Sequence, residues 1–169
     1  MKNALGKCHI IVVVLLLSTV AVWAAKADFN GTWVLDKAKS EGLPPNIMDQ
    51  VMTITQTDNT IKVEAKVTTE QGEQVINDDY VVNGQETDFT AKALGGATGK
   101  GKRISKWSDD GNGLEVSETA TFNTGSGQEI KIQATRKWTL SADGKTLVID
   151  LKLKGPNGEQ ETRRTFVKK

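Results

Sequence analysis

Turn signals recur along this chain at short, regular intervals. They are Asp58-Asn59, Gln71-Gly72, Asn83-Gly84, Gly95-Gly96, Asp110-Gly111-Asn112-Gly113, Gly125-Ser126-Gly127, Asp143-Gly144 and Pro156-Asn157-Gly158. Asn-Gly and Asp-Gly supply the positive φ that tight hairpins need. Between the turns lie alternating runs rich in β-branched residues, the mark of half-buried strands. So little chain separates the runs that no crossover helix fits, and consecutive strands must pair antiparallel. Ten strands are predicted, over 31–37, 49–57, 60–69, 73–83, 85–92, 100–108, 113–123, 128–140, 145–154 and 159–168. The one longer connection, 38–48, holds Pro44-Pro45 and has room for a single short helical turn.

The alternation sorts the side chains into two faces. One collects Trp33, Leu35, Met52, Ile54, Ile61 and Val63, then Tyr80, Phe89, Leu114, Val116, Trp138, Leu147, Ile149 and Phe166, among others. The opposite face is polar, as in Lys62, Glu64 and Lys66. A two-sheet sandwich would share this pattern. The expected fold is all-β, a single up-and-down antiparallel β-barrel of ten strands.

The N-terminus reads as a Sec-type signal peptide. Lys2 and Lys7 precede an apolar run from Ile10 to Val22, too short for a comfortable membrane span, and Ala25-Lys26-Ala27 fits an A-x-A cleavage site. Residues 1–27 are therefore expected to be removed, leaving residues 28–169 as a single barrel domain in the periplasm or medium, with no stable membrane insertion. Cleavage one or two residues earlier fits as well.

That boundary decides much of the chemistry. Cys8 and His9 are the chain's sole cysteine and histidine, so residues 28–169 contain neither. Disulfides, zinc sites built on Cys or His, and Ser-His-Asp or Cys-His nucleophiles are excluded there. No cofactor or metal is expected. Of the 22 lysines and arginines, Lys2, Lys7 and Lys26 lie in the leader, leaving 19 against 21 acidic residues and a net charge of −2. This gives no electrostatic reason to expect nucleic acid. A monomer is expected.

Three charges interrupt the apolar face. Arg136 is in phase with Ile132, Ala134 and Trp138; Arg164 with Thr162 and Phe166; Glu118 with Val116 and Ala120. A charge inside a barrel is costly unless paired or hydrogen-bonded. Two arginines on one cavity could grip a ligand carboxylate in a bidentate fork. Two structural readings compete with that. Arg164 could stack on Trp33, since first and last strands are neighbours in a closed barrel, and Gly31, Trp33 and Arg164 would then fasten its ends. Glu118 could neutralise Arg136. The run Lys100-Gly101-Lys102-Arg103 reads as a solvated strand or loop, although Arg103, Ser105 and Trp107 share a phase.

Phe29-Asn30-Gly31-Thr32-Trp33-Val34-Leu35 resembles the first strand of the calycin group, the lipocalins and intracellular fatty-acid-binding proteins. Gly31 to Ser40 is similar to the run Gly-Thr-Trp-x-Leu-(Asn/Asp)-x-x-Lys-Ser of exported bacterial proteins described as lipocalin-like. The likeness extends over residues 29–168. Thr162-Arg163-Arg164-Thr165-Phe166 resembles the last strand of the fatty-acid-binding branch, where an Arg-x-Tyr pair meets the ligand carboxylate. The resemblance places Arg164 and Phe166 in those positions, with Phe166 lacking the hydroxyl. It also places Arg136 at an internal arginine two strands before the last. Two features depart from that branch: the 38–48 connection is too short for its helix-turn-helix lid, and this chain carries an export signal.

The leading expectation is non-enzymatic binding or transport of a small hydrophobic molecule, a fatty acid or other lipid, inside the barrel. Arg136, Arg164, Phe166, Tyr80, Glu118 and Trp138 form the candidate ligand-binding set. A ligand-free structural or protein-interaction barrel is the alternative. An enzyme moving protons through Tyr80, Glu118 and the arginines is the third reading.

Overall fold

The computed structural model describes residues 26–123 and 127–169. The signal peptide expected over 1–27 falls outside the described residues except for Lys26 and Ala27. Among the described residues ten strands form one antiparallel sheet. They are β1 (Gly31–Leu35), β2 (Ile47–Gln56), β3 (Thr60–Thr69), β4 (Gly72–Val81), β5 (Glu86–Lys92), β6 (Thr98–Trp107), β7 (Gly113–Asn123), β8 (Glu129–Leu140), β9 (Thr146–Gly155) and β10 (Gly158–Lys168). Every boundary lies within two residues of the sequence expectation. The long connection contains one 3-10 turn, Lys37–Lys39. Among the described residues no helix is long and apolar enough to cross a membrane.

The strand order is β4-β3-β2-β1-β10-β9-β8-β7-β6-β5. First and last strands pair, with Leu35 opposite Phe166 and Trp33 opposite Lys168. The sheet thus curls into a barrel whose two edges, β4 and β5, face each other unpaired. Asn83-Gly84 signals a hairpin, but no hairpin forms there. Val82 bridges to Ser105 of β6, and the Gly84 amide donates to the Ser105 carbonyl at 2.9 Å. The chain leaving β4 is drawn onto β6, so β5 cannot lie alongside β4.

The motif before and within β1 closes one end. Phe29 is fully buried, stacks on Trp107 at 6.0 Å and meets Trp138 edge-on at 5.6 Å. Its carbonyl accepts from the Trp33 indole at 2.8 Å, and its amide donates to Gln56 Oε1 at 2.9 Å. Gly31 has φ +128°, and a Cβ there would lie 2.8 Å from Lys168 Cε. The glycine therefore admits both the backbone bend and the lysine that covers Trp33. This end, with Trp33, Leu114, Leu147 and Phe166, is packed solid.

Candidate functional site

Above the packed end the apolar face encloses a cavity of about 450 Å³, walled by residues including Met52, Val63, Val67, Ile132 and Leu153. That size falls within the roughly 300–1,000 Å³ of small-molecule sites. Space for it is made partly by glycine in β6. A Cβ at Gly101 would sit 2.6 Å from Phe89 Cε1, so only glycine lets that ring lie flat on β6. All six candidates named from sequence, Arg136, Arg164, Phe166, Tyr80, Glu118 and Trp138, line this one cavity. The apolar face is therefore half core and half wall, which is why Ile132, Leu151 and Leu153 are only half-buried.

A chain of charges crosses the wall. Arg103 stands opposite Glu118 in the β6–β7 ladder, and Arg136 lies one row along on β8. Arg103 Nε donates to Glu118 Oε1 at 2.6 Å, and Arg136 Nη1 donates to Glu118 Oε2. Arg103 then spans the seam between the sheet edges. Its Nη2 donates to Asp78 Oδ1 at 2.7 Å and its Nη1 to the Asp79 carbonyl at 2.9 Å. The guanidinium is clasped between Tyr80, 4.3 Å away, and Phe89, 4.1 Å away. Its side chain is 2 % exposed. The expectation of a solvated run thus holds for Lys100 and Lys102 and fails for Arg103, whose phase with Ser105 turns it inward.

Arg136 is paired as well, through Nη1. Its carboxylate partner is Glu118, so the neutralising alternative is the one realised. Burial works against the charge on Arg136, but the acidic groups around it, Tyr80 and Glu118 foremost, hold its pKa above the ordinary arginine value. Burial also pushes the Tyr80 phenol well above its ordinary value of 10.0.

Arg164 is different. It does not stack on Trp33; Lys168 does, at 5.2 Å. β1 ends at Leu35 and turns out of the sheet, so no β1 residue is in register with Arg164. The guanidinium crosses that position, and Nη1 donates to Gln50 Oε1 on β2 at 3.0 Å. Nε is buried with no partner. Among the described residues no acidic side chain forms an ion pair with it. Burial, and behind it the charge on Arg136, lowers its pKa from the usual value. A guanidinium nevertheless stays protonated. Of the charges in the deep wall, Asp78 and Glu118 are answered by Arg103 and Arg136, and Arg164 is left over. Asp78 and Gln50 were not singled out from sequence. Both had a signal: Asp78 is in phase with Ile76 and Tyr80, and Gln50 with Met52 and Ile54.

No protein-family model matches the chain, and no curated protein matches it by sequence. A solved structure does match: zebrafish ileal bile acid-binding protein complexed with cholic acid, at 19 % identity, over 83 % of this chain and 98 % of that one, with a TM-score of 0.50. The ten-stranded order, the gap between β4 and β5 and this likeness agree: the chain has the fatty-acid-binding-protein-like barrel of the calycin fold.

Proposed function

We propose that the protein is a non-enzymatic carrier or sensor of a small hydrophobic acid, held inside the barrel with its carboxylate on Arg164. The observation that carries this reading is a half-buried cation on the cavity wall that, among the described residues, no acidic side chain answers. Such a group costs stability unless a ligand completes it. The similar zebrafish protein, crystallised with cholic acid, supports a hydrophobic ligand at the level of the fold. The role proposed for Arg136 shifts to holding Glu118 and the seam, because its carboxylate is already supplied. The cavity weighs against a barrel packed solid for structure alone. We place the protein in the periplasm or medium as a monomer. Ala27 is buried, and its amide donates to the Gly111 carbonyl at 2.9 Å. Its carbonyl accepts from Gln56 Nε2 at 2.9 Å. These contacts favour a cleavage that leaves Ala27 in place, one or two residues before the A-x-A site.

Native mass spectrometry of protein purified from its own host tests the reading. A retained apolar acid, lost in Arg164→Met, is the expected result. A barrel that returns no small molecule and binds no added long-chain acid would overturn it.

A further inference from the structure

Gln50 is 5 % exposed and forms part of the cavity wall. Arg164 can only donate, so Gln50 must present its oxygen to it, at 3.0 Å. That fixes the amide the other way round. The Nε2 group carries two N–H donors, and among the described residues nothing accepts from it. The Arg164 guanidinium carries five N–H donors, and among the described residues only Nη1 is hydrogen-bonded. The pair therefore offers a ligand more donors than acceptors, on one net positive charge. One of the two lone pairs on the Gln50 oxygen is spent on Arg164.

We propose that Gln50 is the headgroup-selecting residue of this cavity. With Arg164 it forms a donor-rich, cationic clamp that takes a planar carboxylate and turns away an alcohol or amine of the same chain length. A carboxylate has two oxygens and about four lone-pair directions, enough to accept from both side chains. An alcohol brings one oxygen and no charge, so it leaves the Arg164 cation unanswered. The inference rests on the carrier reading given above and sharpens it.

Isothermal titration with hexadecanoic acid and hexadecan-1-ol tests it on the wild type, Gln50→Met and Gln50→Glu. The wild type binds the acid and discriminates against the alcohol. Gln50→Met weakens the acid about ten- to a hundredfold, as expected for one lost hydrogen bond to a charged group, and leaves the alcohol unchanged. Gln50→Glu supplies Arg164 with its own carboxylate, so acid binding falls further and the preference reverses toward the alcohol. Acid binding that survives both substitutions overturns the role of Gln50 while the carrier reading stands. A wild type that binds neither ligand sinks the carrier reading itself, and the clamp with it. Should the variants fail to fold, a crystal structure of the wild type with the acid decides. Gln50 Nε2 within ~3.2 Å of a carboxylate oxygen supports the clamp, and a carboxylate elsewhere overturns it.

Discussion

Replacing Glu118 by Gln should damage the fold more than any other single change in the charged chain. Glu118 accepts from two arginines, one on each neighbouring strand. Its side chain is 5 % exposed, with Arg103 at 2 % and Arg136 at 24 %, so water can replace little of what Arg103 loses. Hydrogen bonds to charged groups are worth about 1.5–3 kcal/mol each, and removing one member of a buried ion pair costs about 3–5 kcal/mol. The glutamine amide would also point N–H groups at a guanidinium. We expect a loss of about 3–5 kcal/mol, a fall in Tm of roughly 10 °C for a domain of this size. Thermal and urea unfolding followed by circular dichroism measure it. Glu118→Gln/Arg136→Met should recover part of the loss, since the second change removes one of the two stranded cations. A loss under about 1 kcal/mol, or a double variant no better than the single, would refute the assignment of Glu118 as the shared acceptor.

Three further outcomes follow. Tyr80 is the chain's only tyrosine, so tyrosinate absorbance reports it alone. Its folded pKa is raised above the ordinary 10.0, so its stabilisation is complete below pH 10 and lost as pH rises beyond it; Tyr80→Phe should flatten that alkaline decline in urea midpoints. At acid pH the sign reverses. Asp110 and Asp143, hydrogen-bonded by Ser108 and Ser141, have folded pKa values below the ordinary 3.8, so their contribution is present above that value and lost as pH falls below it, which unfolding of Asp143→Asn against the wild type at neutral and acid pH would reveal. Phe29→Ala, which empties the packed end between Trp107 and Trp138, should cost about 3–5 kcal/mol in urea unfolding, leaving the acid preference of the cavity intact.

The strands were legible because period-two alternation and Gly-containing turns are local signals. Every boundary could be placed from residues a few positions apart. The seam was not legible, because Asn83-Gly84 is a sound hairpin signal that a distant residue, Ser105, overrides. The six candidate residues converge because phase decides which face a side chain joins, and one face of a closed barrel has one interior. Phase does not say who pairs with whom. Arg136 and Arg164 look equivalent in sequence. They differ because β7 brings Glu118 beside the first, whereas β1 stops short and leaves the second facing Gln50. Trp33 took Lys168 because residue 168 is its ladder partner, a register that depends on how β10 docks on β1.

The central claim is that the cavity completes Arg164 with a ligand carboxylate. A crystal structure of the wild-type protein with a bound long-chain acid tests it most directly. The carboxylate is expected within ~3.2 Å of Arg164 and the alkyl chain against Ile132, Leu151 and Leu153. A ligand bound with its carboxylate away from Arg164, and Arg164 still resting on Gln50 alone, would contradict it.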